Sequence, residues 1–459
     1  MKPNVIDEIV KNDLCIGCGT CAGICPQKTL KIQDNEYGEY IPSETRECNS
    51  GCGLCLEVCP FSNSENETEI GTKIYGNIEG MNYLPETGYY LDSYVGYSNK
   101  FRRSSASGGM TTWFLTKLLK EGIVDYIVCP TPRKNPEKLF SFEILSDENS
   151  VKSASGSAYY PVEMSEVIQK IQEIPGHYAV TGLPCFIKAL RLATQKNKKL
   201  RERIIVTIGL VCGQMKSKNY TKYIAALAGN NNFNKIQSVY YRGKSPEKPV
   251  SDYYYQFIDE NDSRYKIFWS EGVSEAWINR WFTPNACNYC DDVFAELADV
   301  TFMDAWLPEY SKDSMGTNLL LVRSPEVLDI IQNGINKLEI TASKISVEKV
   351  IQSQSGVLEL KRKQLSHRLY LAQQKGLKIP EKRVNPSKDI GLLKKREIKL
   401  KALMQEESKQ IFLDNCQSQR VDVKTFRSRM NPFVRQTYQL RLLGKFTLLP
   451  MRAIKRICK

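Results

Sequence analysis

Histidine is scarce in this chain: His177 and His367 are the only two among 459 residues. Histidine is the side chain most often used to move protons near neutral pH, and it is a common metal ligand. A histidine-based acid–base mechanism is therefore not expected, and each of the two residues is expected to be structural.

Long apolar runs are also missing. No stretch approaches the roughly 18 consecutive apolar residues that a transmembrane helix needs. The opening residues, Met-Lys-Pro-Asn-Val-Ile-Asp-Glu, lack the apolar core of a signal peptide. Because 15 cysteines suit a reducing compartment better than an oxidising one, we expect a cytoplasmic protein, soluble or peripheral to the inner face of the membrane.

Net positive charge is absent from most of the chain, although the formal net charge of the whole is +13. Residues 361–459 hold 26 Lys and Arg against 7 Asp and Glu, which leaves 38 against 44 in residues 1–360. The body is thus weakly acidic, and the basic composition gives no reason to expect nucleic acid as a partner.

Eight cysteines near the start form two runs with ferredoxin spacing. Cys15, Cys18, Cys21 and Cys25, followed by Pro26, reproduce the C-x2-C-x2-C-x3-C-P pattern. Cys48, Cys52, Cys55 and Cys59, followed by Pro60, repeat it with one extra residue between the first two cysteines. Two 4Fe-4S clusters are predicted, and the fourth cysteine of each run is expected to ligate the other cluster.

Three other interpretations of these runs are less consistent with the pattern. A disulfide framework needs an oxidising compartment. A zinc site normally uses four ligands in two pairs. The spacing of Cys48, Cys52 and Cys55 also matches a radical S-adenosylmethionine cluster, but the Cys59-Pro60 pair and the preceding run argue against that interpretation.

A third set of cysteines follows predicted strands of an α/β body. Cys185 follows the strand predicted at 177–182, Cys212 follows the apolar strand predicted at 204–211, and Cys287 and Cys290 form a C-x2-C pair. In a right-handed βαβ unit the first two should lie at the carboxyl edge of neighbouring strands. From the residues alone, these four could hold a third 4Fe-4S cluster, or they could be ordinary buried cysteines with a zinc half-site. Cys129, which also ends a strand, is a fifth candidate.

The order of elements predicts an α+β chain with five parts. A dicluster ferredoxin-like module over 1–62 is followed by a polar linker over 63–87. Strands and helices then alternate, which indicates a mixed α/β body, divided here into 88–175 and 176–347. Among its elements are a helix at 110–121 and a strand from Val124 that Pro130 stops. A helical, basic tail covers 348–459.

Redox chemistry with an organic partner suggests a flavin. Clusters transfer one electron each, whereas organic hydride chemistry moves two, and flavin works in both modes. The chain has no G-x-G-x-x-G before a helix, so a Rossmann-type site is not expected. Ser104 to Gly109, at the start of a predicted helix, offers the best phosphate cradle, although such turns are usually only helix caps.

The motifs together resemble the beta subunits of coenzyme F420 hydrogenase and dehydrogenase. The resemblance covers about residues 10–345 and rests on motifs that occur in the family's order. These are the two ferredoxin runs, Ser105-Ala106-Ser107-Gly108-Gly109, Gly182-Leu183-Pro184-Cys185, Cys212-Gly213, Cys287-x2-Cys290-Asp291 and Ala298-Asp299-Val300-Thr301-x2-Asp304-x-Trp306.

The resemblance implies an iron–sulfur flavoprotein whose FAD exchanges hydride with a deazaflavin coenzyme or another organic substrate. It implies FAD contacts at Ser105, Ser107, Gly108 and Gly109, and a flavin pocket lined by Asp304, Gly316, Thr317 and Asn318. It also implies a third cluster at Cys185, Cys212, Cys287 and Cys290. Because many members of the family accompany surface-polysaccharide genes, a role in polysaccharide biosynthesis is a further expectation.

Partners follow from these assignments. We expect a redox partner protein, either a ferredoxin or a catalytic subunit, together with a small organic substrate. The basic amphipathic segment 433–459 suggests peripheral contact with an anionic membrane, or a helix that covers the body or a partner protein. Two rival functions are an electron-transfer subunit without its own substrate site and an accessory protein whose clusters are structural.

Overall fold

The computed structural model describes residues 3–48, 51–62, 65–417 and 420–457; for residue 417 and residues 445–457 it describes the backbone alone. The strands are β1 (Leu30–Asp34), β2 (Tyr40–Glu44), β3 (Asn82–Leu84), β4 (Gly88–Tyr90), β5 (Asp92–Ser98), β6 (Tyr126–Pro132), β7 (Phe140–Leu145), β8 (Tyr178–Gly182), β9 (Ile204–Leu210), β10 (Ile236–Gly243), β11 (Tyr254–Asp259), β12 (Arg264–Phe268), β13 (Val300–Asp304), β14 (Asn318–Val322), β15 (Ile340–Lys344), β16 (Cys416–Gln417) and β17 (Arg420–Val421).

The helices are α1 (Thr20–Ile24), α2 (Leu54–Glu57), α3 (Glu67–Tyr75), α4 (Met110–Lys120), α5 (Glu148–Ser153), α6 (Ser165–Glu173), α7 (Pro184–Lys196), α8 (Lys198–Arg203), α9 (Lys218–Leu227), α10 (Val273–Ile278), α11 (Pro308–Ser311), α12 (Pro325–Asn336), α13 (Val347–Ser353), α14 (Ser355–Lys361), α15 (Lys363–Gln374), α16 (Leu392–Asn415) and α17 (Val423–Ile457). Short 3-10 turns lie at Phe233–Lys235, Trp269–Glu271 and Asn285–Tyr289, and a π-helical turn lies at Ile6–Val10. The mixed α/β body and the helical C-terminal part agree with the predicted fold class.

The body is built on one eight-stranded mixed sheet in the order β15-β5-β14-β13-β9-β8-β6-β7. Strands β5, β13, β9, β8 and β6 run in one direction, whereas β15, β14 and β7 run the other way. The predicted βαβ unit is confirmed, because β8 and β9 are parallel neighbours joined through α7 and α8. The carboxyl ends of five strands therefore meet at one edge of the sheet.

Both faces of this sheet are buried. On one face Phe114 of α4 lies 5.7 Å from Phe302 of β13, ring centre to ring centre, in a cluster that also holds Ile331 of α12. On the other face Phe186 and Leu190 of α7 pack in the largest apolar cluster. Strands buried on both sides explain the wholly apolar strand sequences.

The N-terminal module is packed directly on the body. The backbone N–H of Met164, which precedes α6, donates to the carbonyl oxygen of Cys18 at 2.8 Å. Helix α1 crosses α6 so closely that a Cβ on Gly23 would stand 2.8 Å from the Cβ of Ile168. This contact fixes the first cysteine run relative to the sheet.

Residues 65–87, the described part of the predicted linker 63–87, are not a simple linker, which corrects the prediction. Asn66 caps α3 through a capping box with Glu69, and Ile70 and Tyr75 are buried. The Tyr75 hydroxyl donates to the carbonyl oxygen of Leu297 at 3.0 Å. Two buried apolar residues are enough to dock this short helix on the body. The polar composition of the stretch gave no sign of the helix in the sequence.

Strand β6 also continues past Pro130 to Pro132, although Pro130 is expected from the sequence to stop it. Its pairing with β8 ends at Val128. Beyond that residue β6 pairs with β7, so a proline N–H is not required on the β8 side.

The C-terminal helices pack on the body rather than only projecting from it. Phe412 of α16 and Phe426 of α17 lie 5.5 Å and 5.7 Å from the ring of Phe282. Lys409 of α16 forms an ion pair with Glu39 of the N-terminal module at 2.6 Å. No helix within the described ranges is long and apolar enough to cross a membrane. The segment 433–459 lies partly outside the described residues, and its membrane contact stays a prediction.

Candidate functional site

The structure gathers the first cysteine set in the expected crossed pattern. Burial raises the pKa of Cys21 well above its ordinary value, and repulsion from Cys18, Cys15 and Cys59 adds to the rise. Cys59 of the second run packs in the same buried cluster as Cys18 and Cys21 of the first. The backbone N–H of Gly17 donates to Cys15 Sγ at 3.4 Å, a contact typical of cluster ligands.

The second set lines a small cavity near the surface. Its lining includes Cys25, Cys48, Cys52 and Cys55, with Gly51 and Gly53 between them. Both glycines have positive φ, at 57° and 71°, which a turn that points several thiols inward requires. Cys25, the last cysteine of the first run, is thus placed with the second run.

The third set is assembled at the carboxyl edge of the sheet. Cys185 lies in the first turn of α7, directly after β8, and Cys212 follows β9. The 3-10 turn Asn285–Tyr289 brings Cys287 to them, with Cys290 just beyond. Burial raises the pKa of Cys185 well above its ordinary value, and charges on Cys290, Cys212 and Cys287 raise it further. Four cysteines from three distant segments therefore share one buried site.

Cys129 is not part of this site. It packs in the apolar cluster on the α4 face of the sheet, beside Glu143 of β7. Burial raises the pKa of its thiol to about 12. The five candidates for four places thus separate into one group of four and one structural cysteine.

Polar contacts surround the sulfur atoms of the third set. The backbone N–H of Met215 donates to Cys287 Sγ at 3.3 Å. The Lys361 ammonium donates to Cys290 Sγ at 3.0 Å. Burial raises the pKa of Cys212 to about 12, although the charge of Lys361 opposes the rise. Hydrogen-bond donors and a cation aimed at clustered thiols suit an anionic iron–sulfur cluster.

The geometry differs from that of a single-ion site. Among the described residues, no group of three or more His, Cys, Asp or Glu side chains is placed to hold one metal ion. A cubane cluster instead binds each thiolate to a different iron, so its ligands surround a volume rather than a point. The three cysteine sets have the donor chemistry for such clusters.

The three sets form a series. Repulsion from Cys55 of the second set contributes to the raised pKa of Cys21 in the first set. Cys18 of the first set acts in the same way on Cys185 of the third. The first set therefore has a neighbour in each of the other two sets, and the second set includes the exposed Cys52.

The glycine loop expected to contact FAD lies at the same edge. Strand β5 is parallel to β13, and the loop leads from the end of β5 into α4. A Cβ on Gly108 would stand 2.8 Å from the backbone nitrogen of Asn318, and one on Gly109 would stand 2.6 Å from the carbonyl carbon of Phe101. Neither position has room for a side chain.

The other expected flavin residues converge on this loop. Ser107 Oγ donates to the carbonyl oxygen of Thr317 at 3.1 Å, and Asn318 Oδ1 accepts from the N–H of Met110 at 3.1 Å. Asp304 pairs with Asn318 across β13 and β14. Gly316 lies against Ser107. Ser105 faces away from this contact, bonding to Thr112 and Ser155.

Three cations beside the loop were not found from the sequence. Arg102 Nε donates to the carbonyl oxygen of Gly316 at 2.8 Å. Lys244 Nζ donates to the carbonyl oxygen of Ser107 at 2.7 Å. Arg242, on β10, pairs with Asp304. Only Arg102, which precedes the loop in sequence, could have been suspected; the other two lie in a remote hairpin without a motif.

These residues fit the phosphate end of a flavin cofactor. Helix α4 begins directly after Gly109, with its Met110 N–H bonded to Asn318 Oδ1, and a helix N-terminus with nearby cations attracts anions. The Nε atom of the buried Arg242 has no hydrogen-bond partner among the described residues. Glycine backbone, cations and an unsatisfied donor together provide the chemistry that an anionic cofactor needs.

Comparison with known proteins first defines the class. Residues 14–63 match the 4Fe-4S dicluster domain, so the chain is an iron–sulfur protein. Residues 93–169 and 176–348 match the N-terminal and C-terminal parts of the coenzyme F420 hydrogenase/dehydrogenase beta subunit, together more than half of the chain. The chain therefore belongs to this oxidoreductase family, as its motifs predicted.

Two curated relatives share parts of the chain. One subunit of the F(420)H(2) dehydrogenase of Methanosarcina mazei is 26% identical over 217 residues, which cover 46% of this chain and 56% of the relative. The coenzyme F420-dependent sulfite reductase of Methanocaldococcus jannaschii is 29% identical over 189 residues, which cover 40% of this chain and 26% of the relative. The chain thus spans about half of the first relative and a quarter of the second.

A solved structure has a similar fold. A chain of the F420-reducing [NiFe] hydrogenase complex from Methanosarcina barkeri aligns with a TM-score of 0.50 and 16% identity. The alignment covers 65% of this chain and 99% of that chain. At this identity the likeness shows the fold alone.

Proposed function

We propose that this chain is an iron–sulfur flavoprotein oxidoreductase that carries electrons between a redox partner and an organic hydride donor or acceptor. Three 4Fe-4S clusters and one FAD would form the electron path. FAD supplies the exchange between hydride chemistry and single electrons. The dicluster module would exchange electrons with the partner protein.

One observation carries this proposal: the third cysteine set lies between the first set and the glycine loop. Cys18 acts electrostatically on Cys185, while Cys212 and Asp304 follow or end the neighbouring parallel strands β9 and β13. A cluster held by the third set would have one redox neighbour in the first set and another at the glycine loop. Such a series needs no large motion of the chain to pass electrons.

Each group of residues has a role in this proposal. The cysteine sets would hold the clusters, in the crossed pattern for the first two. Ser107, Gly108 and Gly109 would contact FAD, with Ser105 supporting the loop through Thr112. Asp304, Gly316, Thr317 and Asn318 would line the pocket, and Arg102 and Lys244 would attract the phosphates.

The organic substrate we propose is a deazaflavin coenzyme of the F420 type. Two relatives with F420 in their names support this choice. Nothing in the structure or the relatives supports a role in polysaccharide biosynthesis, and that role is not part of the function proposed.

Anaerobic purification with quantitation of iron, sulfide and released flavin tests the proposal. About twelve irons and one FAD per chain are expected, since each cluster holds four irons. About eight irons without flavin would contradict it. The loaded protein should then oxidise reduced F420 with a one-electron dye as acceptor.

A second candidate is an electron-transfer subunit that has no substrate site of its own. It is favoured by the relative named as a dehydrogenase subunit and by the similar chain in a hydrogenase complex. The isolated, FAD-loaded chain separates the two candidates: turnover with reduced F420 supports the first, and reduction of the clusters by dithionite without F420 turnover supports the second.

A further inference from the structure

A segment outside the family match covers the third cysteine set. The match to the family ends at residue 348, and α14, α15 and the following chain, here called the C-terminal segment (residues 355–383), fold back onto the sheet edge. A Cβ on Gly213, the residue after Cys212, would stand 3.8 Å from the side chain of Val357. The third set is therefore closed by residues that the family pattern does not include.

Lys361, the last residue of α14, places its charge on this set. The side chain is 2% exposed. In the described part of the chain, its ammonium donates to Cys290 Sγ at 3.0 Å and to the carbonyl oxygen of Asp292 at 2.7 Å. A buried ammonium is costly unless a negative charge is close. The sulfur of Cys290 is the anionic acceptor that this position offers.

Neighbouring cations are paired differently. Arg383 forms two hydrogen bonds with the carboxylate of Glu296, at 2.6 Å and 3.0 Å, and Arg362 joins the same carboxylate at 3.0 Å. These guanidinium groups neutralise an acid beside the set. Lys361 instead points at a sulfur, so its role differs from that of the adjacent ion pairs.

Arg368 holds Lys361 in place. Its Nε donates to the carbonyl oxygen of Asn288 at 2.9 Å, and its Nη2 donates to the carbonyl oxygen of Leu360 at 2.9 Å. Asn288 lies between Cys287 and Cys290, and Leu360 precedes Lys361. One guanidinium thus ties the cysteine loop to the end of α14.

We propose that Lys361 is a positioning residue that raises the reduction potential of the third cluster. This inference rests on the proposed function, because it requires a cluster at Cys290. Reduction brings one electron from a neighbouring redox group, with no bond formed or broken and no proton required. The added negative charge is stabilised by the ammonium on the ligand sulfur, and both hydrogen bonds and net charge tune cluster potentials.

Redox titration of the full-length, anaerobically purified protein, followed by electron paramagnetic resonance, tests this inference. The signal missing from a Cys212→Ala variant identifies the third cluster. In Lys361→Gln, reduction of that cluster should become about tenfold less favourable, which is about 59 mV for one electron. The Lys361→Arg variant keeps the charge and should stay near the wild-type potential.

The matched control is Lys363→Gln, an exposed residue two positions along the same segment, which should leave all three potentials unchanged. Loss of the third signal in Lys361→Gln, with recovery in Lys361→Arg, would also support the charge role. An unchanged potential in Lys361→Gln, or loss of the signal in both Lys361 variants, would overturn it. If the wild-type protein itself lacks a third cluster signal, the proposed function fails, whatever the variants do.

Discussion

Arg242 and Asp304 are joined by a two-point ion pair: Nη1 lies 2.6 Å from Oδ2, and Nη2 lies 3.1 Å from Oδ1. The pair links the hairpin that begins with β10 to the carboxyl end of β13. It is also shielded, because the Arg242 side chain is 7% exposed and that of Asp304 is 19% exposed.

Replacement of Arg242 by Met should destabilise the protein and weaken flavin binding. Removing one partner leaves a shielded carboxylate without its charge partner, which costs about 3 kcal/mol at the lower end of the range for buried pairs. Anaerobic urea unfolding and released-flavin assays measure the two effects. The exposed pair Lys235–Glu260 provides the control: Lys235→Gln should change neither quantity. Equal behaviour of the two variants would refute the prediction.

Gly109→Ala should remove flavin, whereas Gly122→Ala should not. Both glycines have positive φ, at 77° and 66°, so alanine costs each about 1–2 kcal/mol of backbone strain. Only at Gly109 would the new Cβ meet other atoms, 2.6 Å from the carbonyl carbon of Phe101; nothing lies within 4 Å of that position at Gly122. A lower flavin content and a lower unfolding midpoint in Gly109→Ala than in Gly122→Ala would therefore report the close packing of the loop.

Flavin affinity should fall as the pH rises through about 8. Burial, with Arg102 and Arg242 nearby, lowers the pKa of Lys244 from 10.5 to about 8, so the cation beside Ser107 is lost above that pH. Equilibrium dialysis of FAD across pH 7 to about 9.5 tests this, since the window spans the lowered pKa of this lysine. In Lys244→Arg, whose charge persists, the inflection should be absent.

The same lysine gives the opposite trend for stability. In the unfolded chain Lys244 keeps its proton up to about its ordinary pKa of 10.5, so the unfolded state binds more protons between pH 8 and 10.5. Its contribution to the free energy of unfolding therefore rises with pH in that window.

Identical pH profiles of flavin affinity in the wild type and Lys244→Arg would rule out Lys244 as the titrating group.

Cys212→Ala should lose about one third of the iron, because one of three clusters loses a ligand. Cys129→Ala should lose none, since Cys129 packs in the apolar cluster on the other face. Iron analysis with circular dichroism separates cluster loss from unfolding. Full iron content in a folded Cys212→Ala protein would remove the third cluster from the proposed function.

Local signals predicted much of the framework. Pro184 after Leu183 marks the start of α7, because proline suits the first position of a helix. The doubled spacing of the ferredoxin runs predicted the dicluster domain that the family match shows. Strong local patterns, such as apolar runs and helix starts, depend on few neighbours, and therefore they can be read from the sequence.

Contacts between distant segments could not be predicted in this way. Neither Lys361 nor Lys244 belongs to a sequence motif. Each contacts a residue that is distant in the sequence and comes close only in the folded chain. The docking of α3 depends on Ile70 and Tyr75 in a stretch whose composition is that of a linker. Side-chain pairing of this kind is decided by the register and packing of the whole body, which single-sequence patterns do not contain.

The position of the cysteines along the chain also sets an order of assembly. The thiols of the first two sets are complete once residue 59 has been synthesised. The third set requires Cys290, and its lysine partner arrives 71 residues later. Since folding during synthesis proceeds from the N-terminus, a chain synthesised only as far as residue 360 would hold all twelve cysteine ligands but would lack the lysine that contacts the last of them.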